Sequence, residues 1–230
     1  MKLALSIIPL KQTDHLASHI ITRKNVLQNL AISISHLGTI EKSVPRFIEA
    51  KEYINIALSE NNKNDKPLDY ASLIAILASI NHGIGQHDNS IKNLEEAHAQ
   101  YIQSIDIYEQ KNIHALAAHE MNNLCATLSD IGKMTEKVNY LNDALLYCNS
   151  ALKWRTKEKY PFNYALTKNN IGDVYTNIGW ITKNMSSFEL ALSSFNEAME
   201  ILKTSSYYRE IMETNIQDVN KKMSLLRDSP

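Results

Sequence analysis

His15 and His19 stand four residues apart, the spacing that lets two imidazoles on one helical face share a metal ion. No third ligand stands near them in sequence, so the pair reads as two exposed residues of a first helical turn. His82, His87, His114 and His119 fall in no common register and suggest no shared site. Cys125 and Cys148 do not make a disulfide framework; they suit a reducing compartment, and each reads as a buried packing group, not a nucleophile. Glu95 and Glu96 are adjacent, which sends their carboxylates to divergent faces of a helix, and the remaining carboxylates are scattered singly over exposed helix positions. There is no glycine-rich phosphate loop, serine elbow or HExxH sequence. The residues thus point to no reaction, no metal and no cofactor, and an enzyme is not expected.

The 230 residues are 44% hydrophobic and 21% charged, close to globular proteins in general, so wholesale disorder is not expected. Six glycines and five prolines are few for this length and favour long uninterrupted elements. The formal charge is −1, and the Lys221-Lys222 pair is the longest basic cluster near the end, which disfavours nucleic acid as a partner. The sequence has no apolar stretch long enough for a membrane span. The opening residues, with an apolar run from Leu3 to Leu10, resemble a signal peptide superficially. The run is short, contains Pro9 and leads into Lys11-Gln12-Thr13-Asp14, so Leu5, Ile7, Ile8 and Leu10 are expected to cover the open end of the first helix pair. A cytoplasmic location is the expectation, with export lacking a classical signal as the alternative.

What must position any site is an internal repeat. Gly38, Gly85, Gly132 and Gly179 recur every 47 residues, and the columns around them follow without insertion or deletion. Before each glycine, Leu30/Leu77/Leu124/Ile171, the small residues Ala31/Ala78/Cys125/Gly172 and Leu37/Ile84/Ile131/Ile178 trace one face of a first helix. After it, Phe47/Leu94/Leu141/Phe188, Ala50/Ala97/Ala144/Ala191, Ile54/Tyr101/Cys148/Phe195 and Ala57/Ser104/Ala151/Ala198 trace one face of a second. Small columns let helix axes approach while large columns fill the gaps.

Punctuation agrees with this periodicity. Pro67 and Pro161 share a column at a helix start, and Ser43, Ser90 and Asn184 precede second helices as N-caps. The expected repeats cover about 16–60, 67–110, 112–157 and 160–204 within a single domain spanning 1–230. Beyond them the period fails at Asp218 and Val219, and residues from about 207 to 227 are expected to form a capping helix over the last apolar face. Trp154 shares a column with Ile107 and Ile201, which favours a packing role.

These columns match a known pattern. Asn170-Ile171-Gly172, Tyr175 and Gly179, followed by Ala191, Phe195 and Ala198, resemble the tetratricopeptide repeat consensus. The match is sharp in repeat four, fair in repeat three and degenerate in repeats one and two. The chain departs from the 34-residue form by its 47-residue period, and Ala151 through Tyr175 looks like a segment of long-repeat variants. The resemblance implies an all-α fold, a right-handed α-solenoid of four antiparallel helix pairs with a C-terminal capping helix. It also implies a concave face lined by the first helices. Carried over by column, Asn29, Asn122, Asn123, Asn169 and Asn170 fall on that face, with Ile76 interrupting the row; His119, Asp173 and Asn177 border the same groove.

An asparagine amide offers both a donor and an acceptor to a peptide backbone, and the alternative is that these amides bond to neighbouring helices. The groove lacks the Lys/Arg set that would grip a carboxylate terminus. The implied function is a module binding another protein or peptide, with self-assembly as a homodimer or regulatory peptide sensing as alternatives.

Overall fold

A computed structural model describes residues 23–227, and every regular element among them is an α-helix. The helices are α1 (Arg23–Glu41), α2 (Val44–Ser59), α3 (Pro67–His87), α4 (Ile91–Gln110), α5 (His114–Thr135), α6 (Val138–Leu152), α7 (Pro161–Thr182), α8 (Met185–Leu202) and α9 (Ser206–Arg227). The N-terminal apolar run and the His15/His19 pair lie outside the described residues.

The 47-residue register reappears as four equivalent turns. Lys42, Asn89, Glu136 and Lys183 each stand four residues after a repeat glycine and adopt φ of 51°, 51°, 54° and 56°. The next residue's N–H then donates to the glycine carbonyl: Ser43 to Gly38 at 2.9 Å, Ser90 to Gly85 at 3.0 Å, Lys137 to Gly132 and Asn184 to Gly179 at 3.1 Å. A left-handed residue after the last helical turn closes the otherwise orphaned carbonyls in this way. The helix starts follow their residues too. Pro67 and Pro161 open α3 and α7, where a missing N–H costs nothing. Asn184 caps α8 by accepting from the N–H groups of Ser186 and Ser187 at 2.9 and 3.4 Å, and Ser90 Oγ accepts from Asn93 N–H at 3.4 Å. Ser43 makes no side-chain cap bond.

The glycines also share one environment. A methyl group added at Gly38, Gly85, Gly132 or Gly179 would meet the residue nine positions on, Phe47, Leu94, Leu141 or Phe188, at 3.1, 2.5, 2.6 and 3.0 Å. Gly172 faces a rigid ring, since its added methyl would lie 2.6 Å from Phe195, which is almost fully enclosed, where Gly38 leaves 3.1 Å. Alanine gains about 1 kcal/mol in helix propensity over glycine, whereas overpacking a core costs about 1–3 kcal/mol. Gly172→Ala should therefore lower unfolding free energy by about 1–2 kcal/mol in a urea titration, with Gly38→Ala close to neutral. Equal effects at the two positions would show that the Phe195 contact does not govern the seam.

The chain divides into two compact units, residues 1–107 and 108–230. In the first, α1, α2 and α3 pack mutually around Leu27, Ala31, Phe47, Ile54, Leu73 and Ile80. There α4 packs on α3 through Leu94, with Asn81 Nδ2 donating to Gln100 Oε1 at 2.9 Å and Ser104 Oγ to the Ala71 carbonyl at 3.0 Å. In the second, each helix from α5 to α9 packs on the next, and α7 also packs on α5 and α9. Phe188, Phe195 and Leu202 of α8 share a core with Met212, Val219 and Met223 of α9. Among the described residues, no helix is long and apolar enough to cross a membrane.

One expectation is corrected. Cys125 of α5 and Cys148 of α6 form a disulfide, with Cα atoms 5.4 Å apart and both residues fully buried. They occupy the columns of Gly172 and Phe195, the small and large partners that meet in repeat four. Because those columns touch, two cysteines placed in them are brought within bonding reach.

Candidate functional site

The polar residues of the first helices come together in the second unit, where α5, α7 and α9 meet. Asn170 Nδ2 donates to Asn122 Oδ1 at 3.2 Å, and Thr167 Oγ1 donates to the same oxygen at 2.8 Å. Asn177 Nδ2 donates to Ser129 Oγ at 3.1 Å, joining α7 to α5 one helical stretch further on. On the other side of α7, Asn215 of α9 donates to Asn169 Oδ1 at 2.9 Å, and Asn169 Nδ2 reaches Asp173 Oδ2 at 3.4 Å. Four of the asparagines thus bond to a neighbouring helix. Asn122 is buried, while Asn169, Asn170 and Asn177 are half-buried. Asn123 is half-buried and donates to Glu120 Oε2 at 3.2 Å; Asn29, on α1 in the first unit, is exposed.

Two carboxyl groups in this seam are held far from their usual state. Burial, and next the charge of Asp130, push Asp173 up to about 7, against smaller opposing effects of Lys133 and Lys222. Burial pushes Glu120 up to about 7 as well, opposed by its bond from Asn123 and by the charge of Arg155. A carboxylate removed from water is costly, and binding a proton relieves that cost.

Arg155 organises the adjoining end of the unit. It lies in the turn between α6 and α7 and is only 5% exposed. Its Nη1 donates to Thr167 Oγ1 at 3.2 Å and its Nη2 to His119 Nδ1 at 2.9 Å, so one guanidinium ties α5 to α7. Because arginine can only donate, His119 Nδ1 must be unprotonated. Burial, and next the charge of Arg155, lower the affinity of His119 for a proton, consistent with a neutral ring. His119 is nonetheless exposed, facing solvent over part of its surface.

Beside this bond a cleft of about 190 Å³ opens, lined by Leu116, His119, Trp154, Arg155, Tyr160 and Asn163, with Ala115 and Ala118 completing its wall. Trp154 is 45% exposed and stacks on His114, ring centroids 4.3 Å apart and planes 10° from parallel. That stack is one packing contact of Trp154, while the indole also walls the cleft. His114 is not among the cleft residues, so it braces the indole from outside.

Column reasoning did not single out Arg155 or Glu120, although a signal was present. Arg155 shares the repeat column of Asn61, Tyr108 and Leu202, the last two buried, and Glu120 shares that of Val26, Leu73 and Thr167, the last two buried. A charge standing where neighbouring repeats place uncharged, enclosed residues marks a place where the repeat gives up packing for polarity. Among the described residues there is no group of three or more His, Cys, Asp or Glu arranged to hold a metal ion. Comparison with protein-family models and with curated proteins finds no match to the chain.

Proposed function

We propose that the chain is a tetratricopeptide-like helical-repeat module, a right-handed solenoid of four helix pairs with α9 as its cap, that binds a segment of a partner protein along the first helices. The observation that carries this reading is the recurrence, at 47 residues, of the same left-handed turn and the same glycine contact. Such repetition is what a stack of like helix pairs requires. In the second unit the first helices carry Asn123, Asn169, Asn170, Asp173 and Asn177. The amides already bonded between helices keep further capacity, since each asparagine side chain can make up to four hydrogen bonds.

The test compares the wild type with an Asn123→Ala/Asn170→Ala variant in affinity capture from the native cell, read by mass spectrometry, with thermal unfolding run in parallel. The expected result is loss of specific partners by at least about tenfold while the midpoint falls only by the equivalent of about 2 kcal/mol for the lost Asn170–Asn122 and Asn123–Glu120 bonds. Unchanged capture would remove the groove from consideration.

A second copy of the chain is the alternative partner. In its favour, Ile40 is 77% exposed and Ile48 is 50% exposed in the first unit, two large apolar side chains left in water. Sedimentation across a concentration series distinguishes the readings, with a dimer expected only if these side chains drive self-association.

A further inference from the structure

The cleft beside Arg155 has features that packing alone does not explain. A buried guanidinium is ordinarily matched by a carboxylate, yet among the described residues the side-chain hydrogen bonds of Arg155 run to a hydroxyl and an imidazole, both neutral. Two of its five N–H donors are engaged in those bonds. The charge stands where the repeat elsewhere places Asn61, Tyr108 and Leu202, of which Tyr108 and Leu202 are buried, and a tyrosine or leucine would have filled the enclosed position at lower cost. The carboxyl that acts on it, Glu120, does so through space and is itself pushed up to about 7 by burial. The walls are of another kind: the indole of Trp154, Leu116, two alanines and Tyr160. A strongly hydrated dianion such as phosphate would lose its water against such walls with one arginine to replace it, and a cation would be repelled.

Size narrows the ligand further. Drug-sized pockets run to about 300–1,000 Å³, whereas a cavity of about 150 Å³ holds a single benzene ring. A cleft of about 190 Å³ has room for one ring and a carboxyl group. The flat wall is fixed in place, because His114 stacks on the indole from outside the cleft.

We propose that this cleft binds an aromatic monocarboxylate, its ring against Trp154 and its carboxylate on the guanidinium of Arg155. The same chemistry is offered by a free single-ring acid and by the C-terminal aromatic residue of a polypeptide. The site rests on the cleft alone and does not depend on the groove reading.

The experiment uses the full chain carrying Trp180→Phe, which leaves Trp154 as the reporter indole, with calorimetry on the wild type as a second readout. The probes are phenylacetate, phenylacetamide, and a hexapeptide ending in phenylalanine as free acid and as amide. Saturable quenching by an acid, with its amide at least about tenfold weaker, supports the site; which acid binds identifies the source. Since an Arg155 variant could fail to fold, the control is Trp154→Ala, whose side chain is half-exposed and lies outside the buried core. In calorimetry it should bind the preferred acid about tenfold more weakly with its thermal midpoint nearly unchanged. Absence of binding by either acid up to millimolar concentration, equal binding of acid and amide, or full affinity in Trp154→Ala would each overturn the proposal.

Discussion

Reducing the Cys125–Cys148 disulfide should lower the stability of the second unit by about 3 kcal/mol, seen as a fall of the thermal midpoint on the order of 10 °C. The two cysteines are 23 residues apart, so the bond closes a moderate loop and removes that much conformational freedom from the unfolded chain. Both residues are fully buried, so reductant reaches the bond only when the hairpin opens, and the loss should develop slowly under native conditions.

The repeat also predicts how to replace the bond. Its columns hold Ala78 with Tyr101 in repeat two and Gly172 with Phe195 in repeat four. A Cys125→Gly/Cys148→Phe variant should therefore recover more stability than Cys125→Ser/Cys148→Ser, which places two hydroxyls in an enclosed seam. Urea titrations with and without reductant provide the measurement. Coincident curves for oxidised and reduced protein would mean that the bond does not constrain the unfolded chain.

The second large effect is a dependence of stability on pH that runs opposite to that of most acidic groups. Glu120 and Asp173 each bind a proton more tightly in the folded chain, both pushed up to about 7. A raised carboxyl contributes stability that is fully present below its unfolded value, near 4, and is lost as pH rises through about 7. His119 works in the other direction: its lowered affinity for a proton makes folding less favourable as pH falls below its ordinary value near 6.5. Two carboxyls oppose one imidazole, so unfolding free energy should rise as pH is lowered from 8 to about 5.

Glu120→Gln isolates one contribution. Glutamine keeps an acceptor for Asn123 and carries no charge to desolvate. At pH 8 this removes a penalty on the order of 3 kcal/mol, less the lost attraction to Arg155, leaving a stabilisation of about 1–2 kcal/mol that fades towards pH 5. A Glu120→Gln variant that is less stable than the wild type at pH 8 would show that Glu120 is ionised and serves as the counterion of Arg155.

Much of the local architecture was legible because it depends on spacing within one or two helices. The 47-residue period placed the glycines, and with them the turns at Lys42, Asn89, Glu136 and Lys183. Prolines at first helical positions located the starts of α3 and α7, and breakdown of the period after residue 206 located α9. The asparagine columns were legible as positions but not as partners. Which amide meets which depends on the offset between α5, α7 and α9, which shifts by two residues between the Asn170–Asn122 and Asn215–Asn169 bonds, 48 and 46 apart.

What the sequence determined alone was therefore the periodic part: helices, turns, and the columns in which small and large residues alternate. Tertiary structure decided everything that depends on a residue being unlike the rest of its column. Cys125 and Cys148 became a disulfide because their columns touch. Glu120 became a proton-holding carboxyl because its column is enclosed, and Arg155 became the base of a cleft because the turn carrying it folds inward between α5 and α7. Hydrophobic spacing repeats, and so can be read along the chain; burial of a charge is set by neighbours distant in sequence, and appears only when the helices have packed.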